Sequence, residues 1–586
     1  MSGCQSTTKK RVNNTQTNQS QTTQSSAVKN TAEPVISKTP VESAFERLEF
    51  YLSTAQLQKA QVLSNALSQQ PLSPAEAVQL RLHNASLLLS NDQYTEAEAL
   101  LVSTLPTDRV QLKTKFMLQL QIYQASEQHV KAITTLFQLM DQFNDSISAE
   151  ILAQTWFHLN QLPELTLRQF ETEYSSTAQA WINLAILVRQ HIGDPVELHE
   201  SLKRWQQQFP DHPPIDRLPQ DVQHALTVQP WNPEKVAVLL PFTGKYRRQA
   251  LAIRNGLLTA NQRQNRQLTF INSHLDFQNM KEEVASLSPD FVIGPLLKET
   301  IDRYTADEYL QTIPTLFLNT PQQKAELTDF YYFGLNPDDE IEQLALLLRE
   351  KNIQFPAVVA ANNSQGVRLS NQFAALWKTF SPQQADAEQL YFSNKQEMQT
   401  AIKDLMDVTP SKDRIKTIER IIKVPLKTEA RNRRDLDAII LIANPIQTRL
   451  LKPYIDVNTS PFATPLPVYA TSKSHSSETD NVDRRDLNAL IFTELPWMLP
   501  QNDQFNQYRQ QYQDIWASED EDLQRLFALG FDALESIPAL AQLRVLSGQY
   551  IQGMTGQLSV APDGVIKRQH SLARYTRGKI EIIKRH

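Results

Sequence analysis

Cysteine is almost absent from this chain, since its 586 residues contain only one, Cys4. A single cysteine excludes an intramolecular disulfide, a redox-active Cys-x-x-Cys pair and a zinc site built from several cysteines. The sequence also lacks a continuous apolar run of about 18 residues, the length at which a stretch becomes a candidate for a membrane-spanning helix. These absences exclude a disulfide-stabilised scaffold and cysteine-based chemistry.

Glycine is scarce as well, with 13 residues, and neither sign of charge dominates the chain. Scarce glycine is typical of a helix-rich protein because glycine weakens helix interiors. The net charge is −6 and the pI is about 6.1, so the overall charge does not predict a nucleic-acid partner. At about 150 residues per domain, the length predicts several domains with sizeable cores.

The cysteine ends the opening stretch MSGC. This stretch resembles the end of a bacterial lipobox, in which the cysteine becomes the acylated first residue of the lipoprotein; an unmodified cysteine is the alternative. The next residues, up to 40, contain few apolar side chains and cannot offset the entropy of ordering. We therefore interpret residues 1–40 as a lipobox remnant and a disordered tether, with Cys4 as the lipid anchor. By the sorting rule of such lipoproteins, Gln5 rather than Asp after the cysteine favours the outer membrane.

Residues 41–226 show the apolar period of amphipathic helices throughout. In the stretch TAQAWINLAILVRQ, the positions of Trp181, Leu184 and Val188 match the spacing of the first tetratricopeptide helix. Similar patterns recur about every 34 residues, the period of that repeat. Small residues such as Ala85 would let paired helices approach closely. A tetratricopeptide-like helical solenoid is therefore predicted, with an irregular helical bundle as the alternative.

The pattern changes at residues 227–234, a segment with proline and tryptophan that we interpret as a linker. Beyond it, short apolar runs alternate with helical periods. Residues 236–240, VAVLL, form a fully apolar run that is typical of a buried parallel strand. Residues 235–586 are therefore predicted to form a doubly wound α/β region, and their number favours two lobes joined by several crossovers.

Two segments of this region carry many charges. The sequence NPDDE predicts a helix start, with Asn336 as the cap, Pro337 at the first helical position and acids in the first turn. Residues 411–434 contain nine basic and three acidic side chains and are predicted to form an exposed insertion. A solvated loop is one interpretation of this insertion, and an electrostatic contact with an acidic partner or with wall polymer is the other.

The closing stretch, residues 553–580, alternates in strand fashion around a Pro-Asp-Gly turn. It resembles the last segment of type I periplasmic binding proteins, and residues 236–260 resemble the first strand, loop and helix of that superfamily. The stretches VIGPLLKET, YYFGLNPDDEIEQLA and LFALGFDALESIPAL, together with residues 466–500, are similar to the LpoA family of outer-membrane lipoproteins, which activate penicillin-binding proteins. At least half of the candidate family-signature residues near the expected interlobe region should serve packing. These residues are Tyr469, Ser472, Ser474, His475, Asn488, Pro496 and Trp497.

The sequence shows no constellation of residues that is typical of catalysis. The turn around Gly244 and Lys245 has Leu239 where a P-loop needs its first glycine, and the GxSxG and HExxH patterns are absent. The 11 histidines are scattered along the chain rather than clustered. The sequence therefore predicts no enzyme, no metal site and no cofactor.

The resemblance implies a regulator that is held in the outer membrane by acylated Cys4 and faces the periplasm. The implied partner is a class A penicillin-binding protein of the 1A type, whose peptidoglycan synthesis and cross-linking the chain would stimulate. No nucleic-acid partner is expected, and a small-molecule ligand is not expected. The alternative is a solute-binding lipoprotein of an ABC-type transporter, because the same fold supports such receptors.

Replacing Cys4 by serine is expected to abolish lipid labelling. Expressed in a Gram-negative host behind a lipoprotein signal sequence, the wild-type chain should incorporate radiolabelled palmitate, because it offers one cysteine as acceptor. A Ser6→Ala variant is the control and should keep the label. Label that persists in the Cys4→Ser variant would refute the anchor.

Overall fold

The computed structural model describes residues 39–143, 148–170, 175–210, 218–321, 324–325, 327–382, 384–422, 433, 435–459, 465–477, 481–500, 505–516 and 520–583. Cys4 and the predicted tether up to residue 38 lie outside the described residues. So do residues 423–432 and 434 of the basic stretch.

The first half of the described chain is entirely helical, and most helices that follow one another in the chain pack together, as in tetratricopeptide repeats. The predicted helical solenoid is therefore confirmed. Its helices are α1 (Pro40–Ser53), α2 (Leu57–Leu67), α3 (Pro74–Ser90), α4 (Tyr94–Val102), α5 (Arg109–Ala125), α6 (His129–Gln142), α7 (Ala149–Gln161), α8 (Glu164–Phe170), α9 (Ser176–Gln190), α10 (Pro195–Gln208) and α11 (Gln220–Ala225).

Local sequence explains where these helices begin and how closely they pack. Thr39 and Ser73 each form a capping box with the glutamate three residues later, and a proline follows each cap. Ala85 on α3 and Ala97 on α4 are fully buried where these two helices pack together. Trp181 on α9 is buried at the far end of the solenoid and fills its largest core cluster.

The second half contains three sheets. The first is parallel, with strand order β2-β1-β3-β4-β5, and a three-stranded antiparallel sheet, β11-β12-β13, packs into the same core. The third has the order β15-β14-β10-β9-β8-β6-β7, with β14 and β15 antiparallel to their neighbours. The strands are β1 (Lys235–Leu240), β2 (Gln267–Asn272), β3 (Phe291–Ile293), β4 (Thr315–Phe317), β5 (Phe330–Tyr332), β6 (Pro356–Ala361), β7 (Glu388–Phe392), β8 (Ala438–Ile442), β9 (Val468–Ala470), β10 (Ile491–Glu494), β11 (Ile551–Gln552), β12 (Gln557–Val560), β13 (Ile566–Gln569), β14 (Ser571–Thr576) and β15 (Lys579–Ile583).

Helices cover both faces of the first and third sheets, so the second half has two lobes, as predicted. Alternate residues of β1 serve opposite faces, since Val236 and Val238 belong to one core cluster and Ala237 and Leu239 to another. The helices are α12 (Arg247–Gln264), α13 (Phe277–Leu287), α14 (Lys298–Thr305), α15 (Asp338–Glu350), α16 (Ser364–Phe380), α17 (Lys395–Leu405), α18 (Val408–Ile422), α19 (Pro445–Asn458), α20 (Asn481–Asp486), α21 (Asn506–Trp516), α22 (Glu521–Glu535) and α23 (Leu540–Val545).

Among the described residues, no single helix has the length and apolarity needed to cross a membrane. Only α22 taken together with Ile537–Val545 meets those criteria, as a pair bent by 51°. Both parts of this pair contribute many buried side chains to the core of the first lobe.

Two glycines let α12 and α22 pack with their backbones in contact. A Cβ atom at Gly256 would overlap the carbonyl oxygen of Phe527, and one at Gly530 would overlap that of Ile253. The scarce glycines thus include two whose missing side chain is required at one helix crossing. This crossing forms the centre of the first lobe.

The helical half and the α/β half are joined by buried polar contacts. Arg189 donates to the side chain of Gln549 (3.2 Å) and stacks on the ring of Tyr550, with 4.6 Å from its guanidinium carbon to the ring centroid. Asn160 donates to the Ser547 carbonyl (3.1 Å), and Gln549 donates back to Asn160 (2.5 Å). These bonds join α7 and α9 to the segment that follows α23.

Of the two predictions about charged segments, the helix cap is confirmed and the loop is wrong for residues 411–422. The helix of the NPDDE sequence is assigned from Asp338, one residue later than predicted, but Pro337 already has helical dihedral angles (φ −67°, ψ −11°) and the Asn336 side chain accepts the capping hydrogen bond from the Asp338 amide (3.2 Å). Residues 411–422 do not form a loop, because they belong to α18, whose isoleucines and basic side chains both lie on an open surface. The role of α18 in partner contact stays a prediction.

Limited proteolysis is expected to separate the two halves by cutting within residues 227–234. Helix α11 ends at Ala225 and β1 begins at Lys235, so this predicted linker has no helix or strand of its own. Exposed linkers are cut first, which should release a C-terminal fragment of about 350 residues. Intact-mass analysis of a digestion time course tests this boundary. Earlier cuts between residues 240 and 340 would contradict it.

Candidate functional site

Three segments of chain connect the two lobes. They follow β5, follow β10 and join β13 to β14. Buried polar side chains surround these three crossovers, and we call this set the interlobe junction. It consists of Asp339, Glu340, Gln343, Ser472, His475, Thr493, Glu494, Arg525, Arg568 and His570.

Glu340, in the first turn of α15, links this helix to the ends of β9 and β10. Its carboxylate accepts hydrogen bonds from the amide (2.6 Å) and the hydroxyl (2.8 Å) of Ser472, and from the hydroxyl of Thr493 (2.5 Å). Glu340 is 4% exposed. A buried carboxylate is unfavourable without such donors, so Ser472 and Thr493 are required to keep the helix start in place.

Glu494, the last residue of β10, is the most enclosed acid of the junction, with no exposed surface. Its carboxylate accepts hydrogen bonds from His475 Nδ1 (2.7 Å), Arg525 Nη2 (3.0 Å) and the Leu495 amide (2.9 Å). Burial alone would raise the pKa of Glu494, but Arg525 and His475 outweigh it and lower this pKa to about 2. Because Arg525 lies on α22 of the first lobe, this ion pair joins the two lobes.

The third crossover is held by the side-chain amide of Gln343 and by a buried arginine. Gln343 donates to the His570 carbonyl (2.8 Å) and accepts from the His570 amide (2.9 Å). Arg568 lies 3.4 Å from Asp339 and donates to the Asn336 carbonyl (2.8 Å). Burial lowers the pKa of His570 to about 4, so its ring is neutral at physiological pH. All three crossovers are therefore fixed by specific bonds.

Two further contacts connect the lobes at the surface. Lys473 pairs with Asp522 (2.7 Å), and the Ser477 amide and hydroxyl both donate to Glu521 (2.5 Å). Lys473 and Asp522 are exposed, so their pair contributes little to stability. They extend the buried junction to the solvent edge.

The structure brings three of the predicted signature residues together. Ser472 and His475 belong to the interlobe junction, and Ser474 lies between them and donates to the Ala443 carbonyl at the end of β8 (3.0 Å). Tyr469 lies on the other side of the sheet, where it is buried in the second-lobe core. A role of these residues in recognition stays a prediction.

The other signature residues lie on two different parts of the fold. Pro496 and Trp497 form a buried turn in the second crossover, and the Trp497 ring packs against Tyr512 and Phe527 of the first lobe. Asn488 is exposed and accepts a hydrogen bond from the Arg577 amide (2.9 Å) at the turn between β14 and β15. It takes no part in the junction.

Sequence reasoning missed five charged residues of the junction, namely Asp339, Glu340, Glu494, Arg525 and Arg568. Glu494 carries a signal, since it is the single acid in the otherwise apolar run LIFTELPWML. The other four stand among polar residues, and acids in a first helical turn are ordinarily solvent-exposed. Only the fold shows that α15 begins inside the protein.

The chemistry of the junction is that of a structural connection. Its carboxylates and guanidinium groups are bonded to one another or to backbone groups of the crossovers. Within the described residues, no group of three or more His, Cys, Asp or Glu side chains is arranged to hold a metal ion. The arrangement fixes the relative position of the lobes.

Comparison with known proteins shows the family. Residues 46–578 match the family described as LppC putative lipoprotein. The chain belongs to this lipoprotein family. The match spans the helical half, the junction and nearly all of the α/β half, so the LppC family shares the whole two-part architecture and not one domain of it.

Two LppC-type relatives are named penicillin-binding protein activator LpoA. The relative from Photobacterium profundum is 30% identical over 549 residues, covering 90% of this chain and 87% of its own length. That from Vibrio antiquarius is 28% identical over 533 residues, covering 88% and 87%. The resemblance to LpoA drawn from the sequence is therefore confirmed.

A crystal structure of full-length LpoA from Haemophilus influenzae has the same fold. It is 19% identical to this chain, with a TM-score of 0.56, and the match covers 93% of this chain and 95% of the other. The predicted fold class, a helical solenoid followed by a two-lobed α/β region, is thereby confirmed.

Replacing Glu494 by glutamine is expected to destabilise the protein at pH 7 by about 3–5 kcal/mol, because it removes the nearer charge partner of the buried Arg525 and leaves only Asp522, at 3.5 Å. Thermal unfolding followed by circular dichroism measures the effect. The control is Glu581→Gln, which removes an exposed partner 3.9 Å from Arg574 and should change stability by less than about 1 kcal/mol.

The pH dependence of that difference checks the cause. The pKa of Glu494 is lowered from 4.5 to about 2, so its ion pair stabilises the fold above pH 4.5 and is lost as the pH falls towards 2. The difference in the free energy of unfolding between wild type and Glu494→Gln should therefore decrease as the pH falls from 4.5 towards 2. A gap that stays constant would show that packing, not charge, is responsible.

Proposed function

We propose that this chain is a regulator, anchored in the outer membrane, that binds and activates a class A penicillin-binding protein of the 1A type. In this role it stimulates peptidoglycan synthesis and cross-linking. The observation that carries the proposal is that relatives matching both halves of the chain are named penicillin-binding protein activators. The chain itself acts as a binding protein and not as an enzyme.

Anchoring through Cys4 is part of the same proposal. Membership of a lipoprotein family supports an acylated cysteine, and Cys4 is the one cysteine in the sequence. One acyl chain gives weak, reversible membrane binding, and bacterial lipoproteins carry several. The polar stretch that follows Cys4 then serves as a tether on the periplasmic side and lets the folded halves reach away from the bilayer.

Activation by such a partner is an effect on a conformational equilibrium. A bound regulator can shift the synthase towards its active state only if it binds that state more tightly than the inactive one. A surface that changes shape on binding would lose part of this difference. The paired charges of the interlobe junction support a rigid docking partner, because each lobe is fixed relative to the other.

The alternative function is a solute-binding lipoprotein of an ABC-type transporter. Such receptors close two lobes around a ligand, which requires their crossovers to bend. Here the three crossovers carry buried ion pairs and paired amides, such as Glu494 with Arg525 and Gln343 with His570. The helical half bonded to the α/β half also favours the activator over the receptor.

A reconstituted assay distinguishes the two functions. Purified chain added to the cognate 1A-type synthase and lipid II should raise the rate of cross-linking, measured by chromatography of the digested product. Amino acids and other small solutes should leave the melting temperature of the chain unchanged. A solute that raises the melting temperature by several degrees, with no effect on the synthase, would overturn the activator and establish the receptor.

A further inference from the structure

A large cleft lies between the helical half and the α/β half. Its volume is about 1570 Å³, and the ends of α6 and α7 form one wall. The other wall consists of α15, the three-stranded sheet and the edge of the seven-stranded sheet near β15. The two walls are joined at one place by the contacts of Gln549 with Asn160 and Arg189. They are joined at another place by the ion pair between Arg349 and Glu127 (2.8 Å). The cleft is thus a permanent feature of the docked halves.

Several charged side chains of the cleft are paired within the protein. Lys567 pairs with Glu342 (3.0 Å), and Arg568 lies 3.4 Å from Asp339. The same holds for Lys131, which pairs with Glu98 at 2.7 Å. Because these charges are paired, the part of the cleft around them presents little net electrostatic field to a ligand.

Amide side chains are the polar groups that remain available. Gln161 on the helical wall and Gln557 and Gln569 on the opposite wall all line the cleft. No hydrogen bond joins their side-chain amides to another described residue. Each amide offers two donors and one acceptor oxygen, which suits a neutral ligand rich in hydroxyl and acylamino groups.

An exposed aromatic surface lies beside these amides. Phe157 lines the cleft and is 53% exposed, and its ring meets those of His158 (5.1 Å between centroids) and His129 (6.3 Å) edge-on. Burial and the neighbouring His129 lower the pKa of His158 to about 4, so this aromatic group carries no charge at physiological pH. The Nε2 atom of His158 is buried with no hydrogen-bond partner among the described residues.

We propose that this cleft binds an acylamino-sugar chain, with Phe157 packing on a sugar ring and Gln161, Gln557 and Gln569 bonding its hydroxyl and acylamino groups. An aromatic face provides apolar area for the C–H face of a sugar, and the amides on both walls provide orientation. Glycan strands of the cell wall are chains of acylamino sugars. Their identification as the ligand rests on the proposed function, whereas the class of ligand is inferred from the residues that line the cleft.

Titration calorimetry of the purified full chain tests the inference with two probes, chitotetraose and a disaccharide-tetrapeptide released from purified cell walls. Both should bind, and their affinities should change little between low and high salt, because the proposed contacts are made by neutral amides and an aromatic ring. The tetrapeptide without sugar is the third arm. Binding of that peptide alone, or a steep loss of affinity with salt, would overturn the proposal in favour of a protein segment or a charged polymer.

A pair of matched variants locates the site. Phe157→Ala should weaken chitotetraose binding about tenfold, the order expected for the loss of one aromatic contact. Phe50→Ala removes an equally exposed ring (56%) outside the cleft and should bind as wild type. Ser559→Trp, on the opposite wall, should block binding by occupying the cleft. Unchanged affinity in both cleft variants, or no binding by the wild type, would overturn the inference.

The same variants separate this inference from the proposed function. If Phe157→Ala no longer binds the sugar but still stimulates the synthase, the sugar-binding cleft and the synthase-binding surface are independent. Both the inference and the proposed function then hold. If the wild type stimulates the synthase but binds neither sugar, only the inference fails. If it binds the sugars but does not stimulate the synthase, only the proposed function fails.

Discussion

The second half of the protein depends on the bonding of one buried carboxylate. Glu494 has no contact with water, and an isolated charge in such a place would be strongly unfavourable. It is stable there because His475 and Arg525 approach it from different lobes. The position of α22 relative to the seven-stranded sheet is therefore set by electrostatic pairing and not by apolar packing alone. Replacement of such a pair requires both partners to change together.

The same fold carries different functions in different proteins, and the distinction lies in how its crossovers are built. A receptor needs crossovers that bend at little energetic expense. In this chain, Arg568 bonds the first crossover at the Asn336 carbonyl, Arg525 pairs with Glu494 at the start of the second, and Gln343 bonds the third at His570. The helical half then adds a second wall outside the lobes. The binding surface that we propose lies between the two halves and not between the two lobes, in the cleft of about 1570 Å³.

The sequence predicts much of the fold because its elements follow strong local rules. Fully apolar runs such as residues 236–240 are buried strands, and recurring alanines such as Ala97 lie at helix pairs. It predicts less of the junction, because burial of Glu340 and Arg568 results from contacts more than 100 residues apart in the chain. The position of α18 was missed because its dense charge resembles a loop. The cleft could not be predicted, since it is made by the docking of two halves.

The glycine pair at the crossing of α12 and α22 has a consequence for motion. With backbones in contact at Gly256 and Gly530, α22 cannot turn about its own axis without steric overlap. Arg525 lies on that helix five residues before Gly530, about 1.4 turns away, so the direction of its guanidinium group towards Glu494 is fixed. Close-packed contacts of this kind deform in discrete steps rather than continuously. The angle between the lobes can consequently take few values. A partner that contacts both lobes therefore binds a surface of reproducible shape.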